Sequence, residues 1–113
     1  MSISTHVLDT AAGCPAEGVP LTLSVQRDDG SFEALKSALT DEDGRVGGLV
    51  PKTETLRPGI YRVRFDTAAY FARRGVEGFY PYACIVFHLR RPDEHHHIPL
   101  LLSPFGYTTY RGS

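Results

Sequence analysis

The sequence predicts an all-β protein with one short helix. Apolar residues recur at every second position in three segments, 21–25, 61–65 and 85–89. This is the spacing of side chains on one face of a β-strand, whereas an amphipathic helix would show a period near 3.6. Turn-forming residues separate the segments, and several short strands with turns between them are typical of a sandwich or a barrel.

Three turn signals mark the ends of these strands. Asp28-Asp29-Gly30 is typical of a hairpin and links the strand at 21–25 to the next one. Asp43-Gly44 predicts a second sharp turn, and Arg57-Pro58-Gly59 precedes the strand at 60–65. The chain therefore alternates between short strands and tight connections.

One segment departs from the two-residue period. Residues 67–74 contain helix formers and two basic residues near the end, and Gly75 follows them. Asp66 or Thr67 is suited to cap the first turn, and a glycine often ends a helix. We expect one short helix here, between two strands.

Composition excludes several classes of protein. A chain of 113 residues suits a single domain. Its net charge of −1 does not predict an extended basic surface that would bind nucleic acid. No segment is long and apolar enough to span a membrane, and the first residues do not resemble a secretory signal, so the cytoplasm is the expected location. Cys14 and Cys84 fit no zinc or redox motif, and we assign them no role.

The run His95-His96-His97 is the first candidate site. Side chains alternate along a strand, so His95 and His97 would share one face and His96 would face the other way. Two imidazoles on one face could bind a metal, or they could position and deprotonate water near neutral pH. An exposed polar turn is the structural alternative.

His6 and Arg45 are further candidates. His6 lies in a predicted first strand and shares a face with Ser4 and Leu8. Arg45 follows the Asp43-Gly44 turn, which could hold its guanidinium in place to grip an anion or a carbonyl oxygen. Local sequence alone favours a structural histidine and a solvated arginine.

The end of the chain is unusually apolar and aromatic for a terminus. Chain ends usually fray, but residues 106–111 have the pattern of a β-strand. A strand that ends here would place Arg111, the Ser113 hydroxyl and its carboxylate at a defined position. The alternative is a last strand that only completes the sandwich.

Five motifs run in order along the whole chain. They are Ser4-Thr5-His6-Val7-Leu8-Asp9-Thr10, Thr40-Asp41-x-Asp43-Gly44-Arg45, Gly78-Phe79-Tyr80-Pro81, His95-x-His97-Ile98-Pro99-Leu100-Leu101-Leu102-Ser103-Pro104 and Tyr107-x-Thr109-Tyr110-Arg111-Gly112-Ser113. In these motifs the chain resembles the transthyretin-related family of 5-hydroxyisourate hydrolases. The final Tyr-Arg-Gly-Ser is the most specific motif, and it resembles the enzymes of the family and differs from the thyroid-hormone carriers.

The resemblance implies a fold, an assembly and an activity. The family fold is a transthyretin-like, eight-stranded β-sandwich with one short helix, and it implies a single domain over residues 1–113. It also implies a homotetramer with active sites at the interface between dimers. The implied reaction is hydrolysis of 5-hydroxyisourate, the product of urate oxidation, to 2-oxo-4-hydroxy-4-carboxy-5-ureidoimidazoline, without a metal or an organic cofactor.

The resemblance also implies roles for individual residues. The residues implied to be catalytic are His6, Arg45, His97 and Ser113. Those implied to bind substrate are His6, Arg45, His97, Tyr110, Arg111, Gly112 and Ser113. His95 has a supporting role, and His96 stands where many relatives carry Tyr. The general base is left open between His97 and His6.

Two other functions compete with this interpretation. The chain could be a non-catalytic, transthyretin-like carrier of small planar ligands. It could also be a metalloprotein that uses His95 and His97, although zinc would need a third ligand and a nearby arginine would disfavour a cation.

Overall fold

The alternating apolar residues form two β-sheets in the structure, a computed structural model that describes residues 2–51 and 53–113. The elements are β1 (Ser2–Asp9), β2 (Cys14–Pro15), β3 (Pro20–Gln26), β4 (Phe32–Leu39), β5 (Arg45–Val46), β6 (Gly59–Phe65), α1 (Thr67–Arg73), β7 (Ala83–Leu89), β8 (His95–Ser103) and β9 (Gly106–Thr109). The predicted strands at 21–25, 61–65 and 85–89 lie in β3, β6 and β7. The all-β class with one short helix is therefore confirmed.

The first sheet has the strand order β2-β1-β8-β9, and the short strand β5 also pairs with β1. The second sheet has the order β4-β3-β6-β7. The pair formed by β1 and β8 is parallel, and its register runs from Ser2 opposite His95 to Asp9 opposite Leu102. This pair joins the beginning of the chain to a strand near its end.

The core lies between the two sheets, because alternate residues of both face inward. The first sheet contributes side chains such as Val7 and Leu100, and the second contributes side chains such as Leu23 and Val63, all of them fully buried. The opposite face of β1 and β8 carries polar residues at the beginning of both strands and apolar residues such as Leu8 and Leu101 further along. That outer face carries the histidines discussed below.

The helix α1 covers one end of this core. Its buried residues are Thr67, Tyr70 and Phe71, which are spaced as one face of a helix requires. The Tyr70 hydroxyl donates a hydrogen bond to Asp9 Oδ2 at 2.8 Å, which ties the helix to β1. Burial, reinforced by the Asp9 carboxylate, raises the pKa of Tyr70 to about 12.

The strand count differs from the expected eight. The described residues form nine strands, of which β2 and β5 are only two residues long and both pair with β1. The last strand is also shorter than the predicted segment 106–111, because β9 ends at Thr109. Its pairing with β8 stops at Pro99, which has no N–H to donate, and resumes as a single bridge between His97 and Gly112.

No helix among residues 2–51 and 53–113 is long and apolar enough to cross a membrane.

Candidate active site

The parallel pairing of β1 and β8 brings serines and histidines together on the outer face of the first sheet. Ser2 lies opposite His95 and Ser4 lies opposite His97. Residues at paired positions project from the same face of a sheet, so the four side chains form one cluster. His96 projects to the other face, where it is buried and its Nδ1 is 3.0 Å from the Glu94 carbonyl oxygen.

Hydrogen bonds connect the members of this cluster. Ser4 Oγ lies 2.9 Å from His95 Nε2 and 2.7 Å from His97 Nδ1. Ser2 Oγ is hydrogen-bonded to His95 Nδ1. The two imidazoles are nearly parallel, with their centroids 6.3 Å apart. His95 is exposed, whereas His97 is half-buried and Ser4 is buried.

Arg45 reaches the same face from a turn with a fixed conformation. Asp41 Oδ1 accepts hydrogen bonds from the backbone N–H groups of Asp43 and Arg45, both at 2.9 Å. Gly44 has φ +75°, and a Cβ there would lie only 2.2 Å from the carbonyl oxygen of Val7. A glycine is therefore required directly before Arg45.

His6 lies beside this arginine. The two residues are partners in the antiparallel pairing of β1 and β5, and His6 is half-buried.

The end of the chain folds back against His97. The Gly112 N–H donates a hydrogen bond to the His97 carbonyl oxygen at 2.9 Å. A Cβ on Gly112 would lie 2.6 Å from His97 Cδ2, so the backbone passes directly over the edge of the ring. Arg111 forms an exposed ion pair with Glu94 at 3.2 Å, which adds a second attachment for this segment.

Arg45, the two histidines and the end of the chain surround an open cleft of about 310 Å³. It is lined by Ser4, Thr5, Arg45, Val46, Gly47, His95, His97 and Ser113. Of the predicted site residues, Arg45, His95, His97 and Ser113 therefore line one cleft. His6 is next to this group in the sheet but does not line the cleft.

Tyr110 and Arg111 line a neighbouring cleft of about 360 Å³ between β7 and the beginning of β8. His97 lines both clefts, so it forms part of the wall between them. Five of the seven predicted substrate-binding residues thus line one or both of two adjacent clefts, and His6 and Gly112 line neither.

The electrostatic environment of His97 favours its neutral form. Burial lowers the pKa of His97 below its ordinary value of 6.5, and electrostatic repulsion from His95, Arg45 and His6 lowers it further. At neutral pH the ring therefore has a nitrogen lone pair that can accept a proton. This is the state that a general base requires.

Sequence reasoning identified the histidines but gave no role to Ser4. The two-residue period placed Ser4 on the face of His6, which was the available signal. Its contact with His97 depends on the register between β1 and β8, and the local sequence of neither strand specifies that register. No group of three or more His, Cys, Asp or Glu side chains in the described part of the chain converges in a way that could hold a metal ion.

Comparisons with known proteins agree with the motifs. Residues 3–112 match the model of the HIUase/Transthyretin family. The 5-hydroxyisourate hydrolase of Mus musculus is 46% identical over 112 residues, which cover 98% of this chain and 94% of the relative. The solved structure of Klebsiella pneumoniae 5-hydroxyisourate hydrolase has a TM-score of 0.86 at 38% identity and is covered over its full length. Sea bream transthyretin in complex with thyroxine has a TM-score of 0.91 at 34% identity, with 99% of this chain and 95% of that one covered.

Proposed function

Because this chain belongs to the HIUase/Transthyretin family, we propose that it is a hydrolase that converts 5-hydroxyisourate to 2-oxo-4-hydroxy-4-carboxy-5-ureidoimidazoline in urate degradation. The observation that most directly supports the proposal is that Arg45, His95, His97 and Ser113 line the same cleft. These side chains supply a proton acceptor, a cation and a hydroxyl within one site. Relatives named as 5-hydroxyisourate hydrolases, similar over nearly the whole chain, support the same activity.

In the proposed mechanism, His97 is the general base. It removes a proton from water as the water oxygen bonds to a ring carbonyl carbon of the substrate. The lowered pKa of His97 supports this role, because a base that is neutral near pH 7 can act without first losing a proton. His6 is the alternative base and would otherwise orient the substrate.

Arg45 stabilises the negative charge that develops during the attack. The substrate is planar and readily anionic, and a guanidinium presents a planar set of N–H donors to such a group. The tetrahedral carbon then releases its ring nitrogen, which takes up a proton from the protonated His97 or from His6 as the C–N bond breaks. The ring opens, and the former carbonyl carbon becomes a carboxylate.

The end of the chain completes the proposed site. Ser113 lines the cleft and is suited to hold substrate or water at its edge, while Gly112 connects it to His97. Tyr110 and Arg111 would bind substrate from the neighbouring cleft. His95 has a supporting role through its hydrogen bond to Ser4.

Several further parts of the proposal concern the whole protein. We propose a single domain over residues 1–113 that acts in the cytoplasm as a homotetramer, with sites at the interface between dimers. Catalysis needs no metal in this proposal. Exhaustive chelation should therefore leave the rate unchanged, and a loss that added zinc restores would contradict it.

The direct test follows the ultraviolet absorbance of freshly prepared 5-hydroxyisourate. We expect the protein to accelerate the loss of this absorbance well beyond the spontaneous decay. A carrier of planar ligands would bind the compound and leave its decay rate unchanged or slower. That result would contradict the enzyme and support the carrier.

A further inference from the structure

One hydroxyl group, that of Ser4, contacts both histidines of the cleft. Its Oγ lies 2.7 Å from His97 Nδ1 and 2.9 Å from His95 Nε2. The Ser4 side chain is buried and held in β1, so solvent competes little for these bonds. The mechanism described above gives this serine no task.

A serine hydroxyl has one proton, and this limits the arrangement of the network. Ser4 can donate to only one of the two ring nitrogens, and it must accept from the other. If it donates to His97 Nδ1, a neutral His97 carries its proton on Nε2 and has no free lone pair. If it accepts from His97 Nδ1–H, then Nε2 keeps its lone pair.

The second arrangement is compatible with every stage of base catalysis. When His97 takes a proton from water at Nε2, both of its ring nitrogens carry protons and both act as donors. Nδ1–H can then continue to donate to Ser4 Oγ without any rearrangement. Ser4 in turn donates to His95 Nε2, and His95 Nδ1–H faces Ser2 Oγ, to which it is hydrogen-bonded.

We propose that Ser4 is a positioning residue whose hydroxyl accepts a hydrogen bond from His97 Nδ1–H and so keeps the Nε2 lone pair available to deprotonate water. This inference rests on the proposed function, because it assigns Ser4 a task in the same reaction. The tautomer of a histidine is set by the hydrogen bond that its other nitrogen makes. Ser4 acts here through its hydrogen bond to His97.

The tautomer of His97 can be measured without substrate. In protein labelled with ¹⁵N at histidine, the chemical shifts of the two ring nitrogens report which one carries the proton. The His97→Asn variant assigns the signals. We expect Nδ1 to be protonated in neutral wild-type His97, and we expect Ser4→Ala to shift the population towards protonated Nε2. Protonated Nε2 in the wild-type protein would overturn the inference before Ser4 is replaced.

Kinetics on 5-hydroxyisourate provide the second measurement. We expect Ser4→Ala to lower kcat by about 10- to 100-fold, the loss that is typical when the hydrogen-bond partner of a metal-bound histidine is removed, with KM nearly unchanged. Ser4→Thr retains the hydroxyl and should restore both kcat and the tautomer. Ser2→Ala is the matched control, because Ser2 contacts His95 but not His97.

The possible results separate the two claims. An inactive wild-type protein would contradict the proposed function. An active wild-type protein with unchanged kcat and tautomer in folded Ser4→Ala, checked by circular dichroism, would overturn the role of Ser4 alone. An equal loss of kcat in Ser2→Ala would also overturn it, because the effect would then come from His95.

Discussion

His97 is the residue on which the proposed chemistry depends most directly. Replacing it with Asn removes the proton acceptor while leaving a polar side chain of similar reach. We expect the activity of His97→Asn to fall by a factor on the order of 100 to 10,000, the usual contribution of a general base. The absorbance assay with 5-hydroxyisourate measures this loss.

His88→Asn makes the same substitution at an exposed histidine on β7 in the other sheet. His88 lines the neighbouring cleft and not the cleft of Arg45 and Ser113, so this variant should lose far less activity than His97→Asn. Full activity in folded His97→Asn would show that another group, such as His6, is the base.

The pH dependence of catalysis should reflect the charges around His97. Its pKa lies below 6.5 because of burial and because of electrostatic repulsion from His95, Arg45 and His6. A base works in its unprotonated form, so the midpoint of the decline in kcat/KM on the acid side should lie below pH 6.5. Arg45→Gln removes one positive neighbour and should move this decline to higher pH. A wild-type profile with its midpoint above pH 6.5 would contradict the assignment of His97 as the base.

At the scale of elements, the segment after β9, residues 110–113, is positioned by the close contact between Gly112 and His97. A Cβ on Gly112 would lie 2.6 Å from His97 Cδ2 and 3.2 Å from Pro99 Cγ. Gly112→Ala should therefore displace either the ring or Ser113. A displacement of about 1 Å near the reacting groups can lower the rate on the order of 100-fold. We expect such a loss in kcat, with a melting temperature close to that of the wild type.

Gly59→Ala is the control for this variant, because a Cβ at Gly59 would meet no atom within 4 Å. Equal activity of the two variants would mean that the end of the chain does not position the site.

The elements also show what the sequence could and could not predict. The two-residue period was enough to place His95 and His97 on one face and His96 on the other, because alternation is a local property of a strand. The pairing of Ser4 with His97 was not predictable in this way, since the two strands are joined by most of the chain. β9 ends where it would face Pro99 of the neighbouring strand. The pattern within residues 106–111 alone therefore could not predict this end.

At the scale of the whole molecule, the backbone is equally suited to two functions. The fold resembles the solved Klebsiella pneumoniae hydrolase and the solved sea bream transthyretin about equally well, with TM-scores of 0.86 and 0.91. A fold shared by an enzyme and a thyroxine-bound protein does not specify a function, which must be argued from the side chains of the site. The argument for an enzyme therefore depends on the residues of one cleft.

The proposed tetramer predicts that exposed aromatic residues become covered on assembly. Phe79, Tyr80 and Tyr107 form a chain of edge-to-face contacts, and the Phe79 N–H donates to the Pro104 carbonyl oxygen beside Phe105. Phe79 and Phe105 are each 70% exposed. Contiguous exposed apolar residues of this kind are typical of protein interaction sites. We infer that this aromatic patch, residues 79–80 and 105–107, contacts a second copy of the chain.

Phe105→Glu tests the assembly, because a carboxylate buried between subunits without a partner would strongly destabilise their contact. We expect the wild type to sediment as a tetramer and Phe105→Glu to sediment as a smaller species. Its activity per chain should also fall, because the proposed sites lie between dimers. Leu39→Glu is the matched control: Leu39 is 64% exposed on β4, at the edge of the other sheet. A Phe105→Glu protein that sediments like the wild type would exclude the aromatic patch from the interface, and a monomeric, fully active wild type would contradict the tetramer itself.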